Sequence, residues 1–149
     1  MATVTLDLEG NVWFGSWGGG LFKLDSQGNW SRYDSTNSEL RPTLKPYETV
    51  VSDVVVDDVG TKWIANWEGV EGRCVVALQN NTWTPYLSLD GIRSNLINSL
   101  YAEGGRLWIC SRGVGLGFLD YKGTPENKTD DTIHYYDDVN GHLSGKDVR

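Results

Sequence analysis

Three tryptophans in one frame mark where this chain can do chemistry. Trp13, Trp63 and Trp108 each follow a glycine by three residues, in Gly10-Asn11-Val12-Trp13, Gly60-Thr61-Lys62-Trp63 and Gly105-Arg106-Leu107-Trp108. Four residues beyond them stand Trp17, Trp67 and Arg112. Equivalent residues of a repeat share one end of a fold, and the segments leading into each new repeat bring Tyr47, Arg93 and His142 to that end. Aromatic planes beside a guanidinium suit a sugar ring with its hydroxyl or carboxylate groups. These six residues form the candidate ligand site. The competing reading packs Trp17 and Trp67 between repeats.

Reaction chemistry finds little support. His134 falls in a strand pattern and His142 in a loop, and neither has an evident nucleophile beside it; Ser144 near His142 is a coincidence of spacing. Asp57-Asp58, Asp130-Asp131 and Asp137-Asp138 are adjacent pairs at turns, and neighbours on a strand point to opposite faces, so they make no acid/base couple by themselves. Gly18-Gly19-Gly20 connects two strands, with no helix to lend a dipole to a phosphate. No EF-hand spacing occurs. Cys74 and Cys110 have no metal-ligand spacing and read as structural thiols, with Cys110 a small buried residue. No catalytic residue, metal or cofactor is expected.

The elements that position the candidate residues repeat. The three tryptophans are 50 and 45 residues apart, a period that means a propeller, solenoid or array. In the second repeat, Val50 to Asp57 is a β-branched run that reads as a strand buried on both faces. Thr61 to Trp67 alternates, with Trp63 and Ala65 on one face and Lys62, Ile64 and Asn66 on the other. Glu68 to Arg73 is a loop, and Cys74 to Gln79 and Thr82 to Leu87 complete four antiparallel strands, one propeller blade. The first repeat gives Thr3 to Leu8, Asn11 to Trp17, Leu21 to Asp25 and Asn29 to Tyr33. The third gives Ile97 to Glu103, Arg106 to Arg112, Leu116 to Asp120 and Thr132 to Tyr136. Gly15, Ala65 and Cys110, two residues past each tryptophan, leave room for a bulky neighbour from the adjoining blade. Pro42 and Pro46 break regular structure between the first two blades. Lys122 to Asp131 is polar and is expected to be a mobile outer hairpin.

Composition narrows the partners. The 149 residues suit one domain, here 1–149, with blades at about 2–49, 50–96 and 97–149. Hydrophobic content is 39%, and 18 glycines point to many turns between short strands. A net charge of −7 and a pI near 4.7 argue against nucleic acid and anionic membranes, which need clustered cations. No run approaches the roughly 20 apolar residues of a spanning helix, so no membrane insertion is expected. Met1-Ala2-Thr3-Val4 runs straight into a strand pattern, so no signal peptide is expected and the compartment stays unassigned.

The ends share a phase. Gly141 to Val148 resembles the lead-in Gly91 to Asn98, so Val148 matches Ile97, which in turn matches Ala2. Three whole periods are expected. Closed propellers use about 4–8 blades, and three leave open faces and unpaired edges. The chain is therefore expected either to belong to a longer array or to join a second copy head to tail, two copies closing a six-bladed ring.

The motif has a recognisable relative. Gly10-Asn11-Val12-Trp13-Phe14-Gly15-Ser16, followed by Gly19-Gly20-Leu21-Phe22-Lys23-Leu24-Asp25 and Trp30-Ser31-Arg32-Tyr33, resembles the two-component regulator propeller repeat. The third repeat keeps Leu107-Trp108-Ile109-Cys110-Ser111, Gly115-Leu116-Gly117-Phe118-Leu119-Asp120 and Tyr136. The second departs most, with Asn66-Trp67-Glu68 and Arg73-Cys74 where small turn residues are expected. The resemblance covers nearly the whole chain. It implies the extracytoplasmic or periplasmic sensor region of hybrid histidine kinases, seven-bladed propellers and breakdown products of polysaccharides as signals. No kinase, receiver or helix-turn-helix segment is present. The expectation is thus an all-β partial propeller acting as a non-enzymatic sensor-type module, with an oligosaccharide as its ligand. The alternatives are a propeller lyase or glycoside hydrolase fragment, which would need a His and two acidic residues at the pore mouth, and a purely structural self-assembling array.

Overall fold

A computed structural model describes residues 3–149. Ala2, the expected start of the first blade, lies outside the described residues. The chain forms β1 (Thr3–Leu6), β2 (Val12–Gly15), β3 (Trp17–Gly18), β4 (Leu21–Leu24), β5 (Trp30–Tyr33), β6 (Thr49–Val56), β7 (Lys62–Trp67), β8 (Val75–Gln79), β9 (Thr82–Tyr86), β10 (Ile97–Glu103), β11 (Arg106–Ser111), β12 (Gly115–Asp120) and β13 (Thr132–Tyr136). Among the described residues the helical segments are two short 3-10 turns, Val70–Gly72 and Ser88–Asp90. Each repeat makes one antiparallel sheet, ordered β1-β2-β4-β5, β6-β7-β8-β9 and β10-β11-β12-β13. This is the all-β, four-strand-per-repeat architecture that the sequence predicts, three propeller-like blades not closed into a barrel.

One strand departs from expectation. The run Asn11 to Trp17 does not continue as a single strand. It ends at Gly15, and Trp17–Gly18 swings across to pair with β6, Trp17 opposite Val50 and Gly18 opposite Thr49. The second sheet thus gains a fifth, two-residue strand from the first repeat. Val51 N–H donates to the Ser16 carbonyl at 2.9 Å and Gly20 N–H to the Thr49 carbonyl at 2.8 Å, so the crossover is stitched on both sides.

Strand alternation gives each blade two faces. The tryptophan face carries Trp13, Trp63 or Trp108; the opposite face carries Phe14, Ile64 or Ile109 at the next position. Trp13 and Leu21 pack against Val54, Ile64, Val76 and Leu78 of the second blade. Trp63, Ala65 and Ala77 pack against Leu100, Leu107, Ile109 and Leu119 of the third. A Cβ on Gly15 would stand 2.7 Å from the Val51 carbonyl oxygen, so that close approach requires glycine. Among the described residues the outermost faces have no neighbour. On the first blade Val4, Leu6 and Trp30 are exposed, and on the third Trp108 is only half-buried, against Phe118 at 4.4 Å. Cys110 is therefore half-buried too, not buried as its position in the repeat predicts, because no described residue covers its face.

Carboxylates pin the blades. Asp7 and Asp57 each stand six residues before a repeat tryptophan. Asp7 accepts from the Trp13 indole at 2.8 Å and the Asn11 backbone at 2.9 Å, and Lys62 lies 3.6 Å away. Burial opposes its charge, but the donors from Trp13 and Asn11, with Lys62, outweigh that and hold its pKa at about 2. Asp57 accepts from Thr61 N–H at 2.8 Å and the Trp63 indole at 3.4 Å, and its outer oxygen takes the Tyr121 hydroxyl of the next blade at 2.6 Å. Asp53 joins the three inner strands: it accepts from Thr3 Oγ1 at 2.7 Å and from Leu100 N–H at 2.8 Å.

The segment 122–131 is not the free hairpin its polarity suggests. Lys128 Nζ donates to the Pro85 carbonyl at 2.6 Å and Asp90 at 2.7 Å, while the buried Tyr86 hydroxyl donates to the Pro125 carbonyl and Asp131, each at 3.0 Å. The second blade ties it down.

Candidate functional site

In an antiparallel blade, the connection after the second strand and the entry to the next blade lie at one end. That end gathers Trp17, Trp67 and the segment 34–48. Val50 is paired with Trp17 on one side and with Trp67 on the other. Residues directly opposite across antiparallel strands point the same way, so all three side chains rise from one face. The two indoles meet above buried Val50, ring centroids 5.7 Å apart and planes at 44°. Trp17 keeps 57% of its surface exposed. It is an open platform leaning on Trp67, not a wedge buried between blades.

A cavity of about 320 Å³ opens beside the pair, walled by Trp17, Trp67, Thr43, Lys45 and Glu48. Residues 43–48 are held as a tight turn by Thr43 N–H to the Glu48 carbonyl at 2.8 Å and Glu48 N–H to the Lys45 carbonyl at 2.9 Å. Glu48 accepts from Thr43 Oγ1 at 3.2 Å and pairs with Lys45 at 3.3 Å. The turn is fixed to the sheet by buried Asn66, which donates to the Arg41 and Val50 carbonyls at 3.0 and 3.1 Å and accepts from Arg41 N–H at 2.6 Å. Arg73 also forms an ion pair with Glu39. Hydroxyl, carboxylate and ammonium thus border an aromatic floor, a set that binds polyhydroxylated rings.

The other expected residues sit apart from this pair. Tyr47, at the tip of the turn, is 82% exposed. Arg93 lays its guanidinium 5.0 Å from the Tyr135 ring centre, and the Arg93 backbone N–H donates to the Tyr135 hydroxyl at 3.1 Å. Arg112 is exposed and is held by its backbone: its N–H donates to the Leu96 carbonyl at 2.9 Å and its carbonyl accepts from the Ser94 hydroxyl at 3.2 Å. His142 is exposed, with φ of 54°. Arg93 lies in the lead-in to the third blade, and Arg112 and His142 in that blade's loops. Sequence reasoning missed Thr43, Lys45 and Glu48, which lie in a segment read only as irregular.

Reactive groups are scarce elsewhere. Burial pushes the Cys74 thiol up to about 12, away from the nucleophilic thiolate. Among the described residues no group of three His, Cys, Asp or Glu side chains is placed to hold a metal ion. Among the described residues no helix is long and apolar enough to cross a membrane.

No protein-family model matches the sequence, and no curated protein does. Solved structures do share the fold. PorZ, an essential bacterial surface component of the type-IX secretion system of Porphyromonas gingivalis, superposes with a TM-score of 0.70 at 22% identity over 91% of this chain and 19% of its own. The extracellular domain of the hybrid two-component system BT3049 from B. thetaiotaomicron gives 0.59 at 23% identity, over 87% of this chain and 16% of its own. Both neighbours are β-propeller-like, and the chain spans under a fifth of either.

Proposed function

We propose that the chain is the blade-bearing part of a non-enzymatic, extracytoplasmic sensor module that binds a polyhydroxylated ligand, an oligosaccharide, at the loop end of its sheets. The observation that carries this reading is the exposed Trp17 platform braced by Trp67 beside a polar-walled cavity. The fold shared with a sensor's extracellular domain and a secretion-system surface component supports a recognition role over a catalytic one. Arg93, Arg112, Tyr47 and His142 extend the same end as an outer rim. Titration with an oligosaccharide panel, read by tryptophan fluorescence, is expected to give a saturable change that Trp17→Ala removes. A flat response across the panel, or an unchanged response in Trp17→Ala, refutes it.

We propose further that the two open faces receive blades of the same kind, supplied for the isolated chain by a second copy joined head to tail. Phe14 and Trp30 hold on the first blade the places of Ile64 and Trp83 on the second, which there meet a tryptophan face. Light scattering is expected to give twice the 16.6 kDa chain mass. A compact monomer overturns this arrangement.

A further inference from the structure

At the opposite end of the sheets from Trp17, the first two blades part around a cavity of about 650 Å³. Its walls include Trp13, Lys23, Tyr33, Lys62, Asn80 and Trp83. The corresponding space between the second and third blades is much smaller, about 180 Å³ beside Ala77 and Pro125, and the strand registers show why. Lys23 pairs with Trp13 as Ala77 pairs with Trp63, and Lys62 precedes Trp63 as Leu107 precedes Trp108. Asn80 follows β8 as Tyr121 follows β12. Where the second interface has Ala77, Leu107 and Tyr121, the first has Lys23, Lys62 and Asn80.

Connection length explains the last difference. The β8–β9 hairpin is closed by Asn80 and Asn81, both left-handed at φ 48° and 63°, a two-residue turn that faces solvent. The long 121–131 connection lets Tyr121 fold inward instead, where it is buried with its ring 4.6 Å from Trp63. Two ammonium groups and amides thus replace an apolar plug. Both ammoniums lie over the same Trp13 ring, at 5.6 and 5.7 Å from its centre. Lys62 is 13% exposed and is paired with Asp7 at 3.6 Å. Lys23 has no ion pair among the described residues. The other charged group on the wall is Glu9, whose carboxylate accepts from Asn11 Nδ2 at 3.3 Å.

We propose that this cleft is a second binding site, separate from the Trp17 platform, for a sugar acid: a hydroxylated ring or chain bearing one carboxylate. The carboxylate meets Lys23, the free cation of the cleft, with Lys62 behind it. Hydroxyls meet the Asn80, Asn81 and Gln79 amides, and the sugar body lies against half-buried Trp83. The volume lies within the roughly 300–1,000 Å³ of small-molecule sites.

The test is calorimetric titration of the full chain with glucuronate and gluconate, against glucose and acetate as partial ligands. Lys23→Ala is the variant of choice, because alanine already occupies that position in the next interface. Binding of a sugar acid is expected, weakened at least tenfold by Lys23→Ala, retained by Lys23→Arg and unaffected by Trp17→Ala. Glucose or acetate binding as tightly as either sugar acid overturns the proposal. So does an unchanged affinity in Lys23→Ala, or no binding of either acid. Loss of binding in Trp17→Ala would assign the acid to the other site and overturns this one while leaving the platform reading intact.

Discussion

Tyr121→Phe tests the claim that adjoining blades are held by a directed bond as well as by apolar contact. Tyr121 is fully buried, and its hydroxyl is 2.6 Å from Asp57 Oδ2. Burial comes first among the causes that raise the phenol's pKa, followed by the bond to Asp57 and its charge. The tyrosine therefore stays a neutral donor throughout the physiological range. Removing the hydroxyl leaves the aromatic contact with Trp63 in place. Asp57 keeps the Thr61 and Val59 backbone donors and the Trp63 indole, so it is weakened without being orphaned. A hydrogen bond to a charged group contributes about 1.5–3 kcal/mol. For a chain of this size that lowers the midpoint of thermal unfolding by roughly 3–12 °C. The matched control is Asn80→Gly, because Asn80 holds the same place in the second blade yet is exposed, and glycine keeps its left-handed backbone, φ 48°, without strain. It should shift the midpoint by no more than about 2 °C, since surface changes of this kind cost within about 0.5 kcal/mol. The assay is urea and thermal unfolding followed by tryptophan fluorescence. A Tyr121→Phe shift no larger than that of Asn80→Gly refutes the reasoning.

Other perturbations read other parts of the molecule. Asp7, held at about 2 against an ordinary 3.8, stabilises the fold above pH 4; that contribution, about 2 kcal/mol, disappears as pH falls from 4 to 2, and Asp7→Asn should flatten the acid limb of the stability curve. Asp53→Ala leaves the Leu100 N–H without its acceptor and should lower the unfolding free energy by about 1–3 kcal/mol in urea titration. Lys128→Met removes the two Lys128 bonds to the second blade and leaves those of Tyr86, so the 122–131 segment should be cut by protease faster than in the parent chain. Trp30→Glu places a charge on the open face of the first blade and should convert a head-to-tail dimer to monomer by light scattering without lowering the melting temperature.

Much of this architecture is legible in the residues because strands announce themselves by period two, and each blade repeats a Gly-x-x-Trp corner. Ile97 to Glu103 and Thr132 to Tyr136 are found with the bounds expected. The Trp17–Gly18 crossover was not legible, since two residues have no period and their partners lie more than thirty positions away. The burial of Cys110 failed for another reason: repeat position gives the face, but only a neighbour gives the cover. Segment 122–131 reads as solvated from its charges, and only the placement of Tyr86 and Asp90 shows where they are satisfied. At the candidate site the two indoles were visible from spacing alone. Thr43 and Glu48 were not, because their role depends on Asn66 anchoring an irregular segment from beneath. The cleft at Lys23 was hidden as well, since its opening is decided by a two-residue hairpin in the neighbouring blade.

The two outer faces differ in kind, one presenting Phe14 and Trp30 and the other Trp108 and Tyr136. In the head-to-tail join proposed above, one kind of face meets the other, and no twofold axis passes through the junction. Addition in that arrangement is polar, front to back, and each added unit re-creates the end that it covers. Such growth stops only when the accumulated rotation returns to its origin. The tilt between blades, set in part where Asp53 ties the inner strands, therefore decides between a finite circle and an endless fibre.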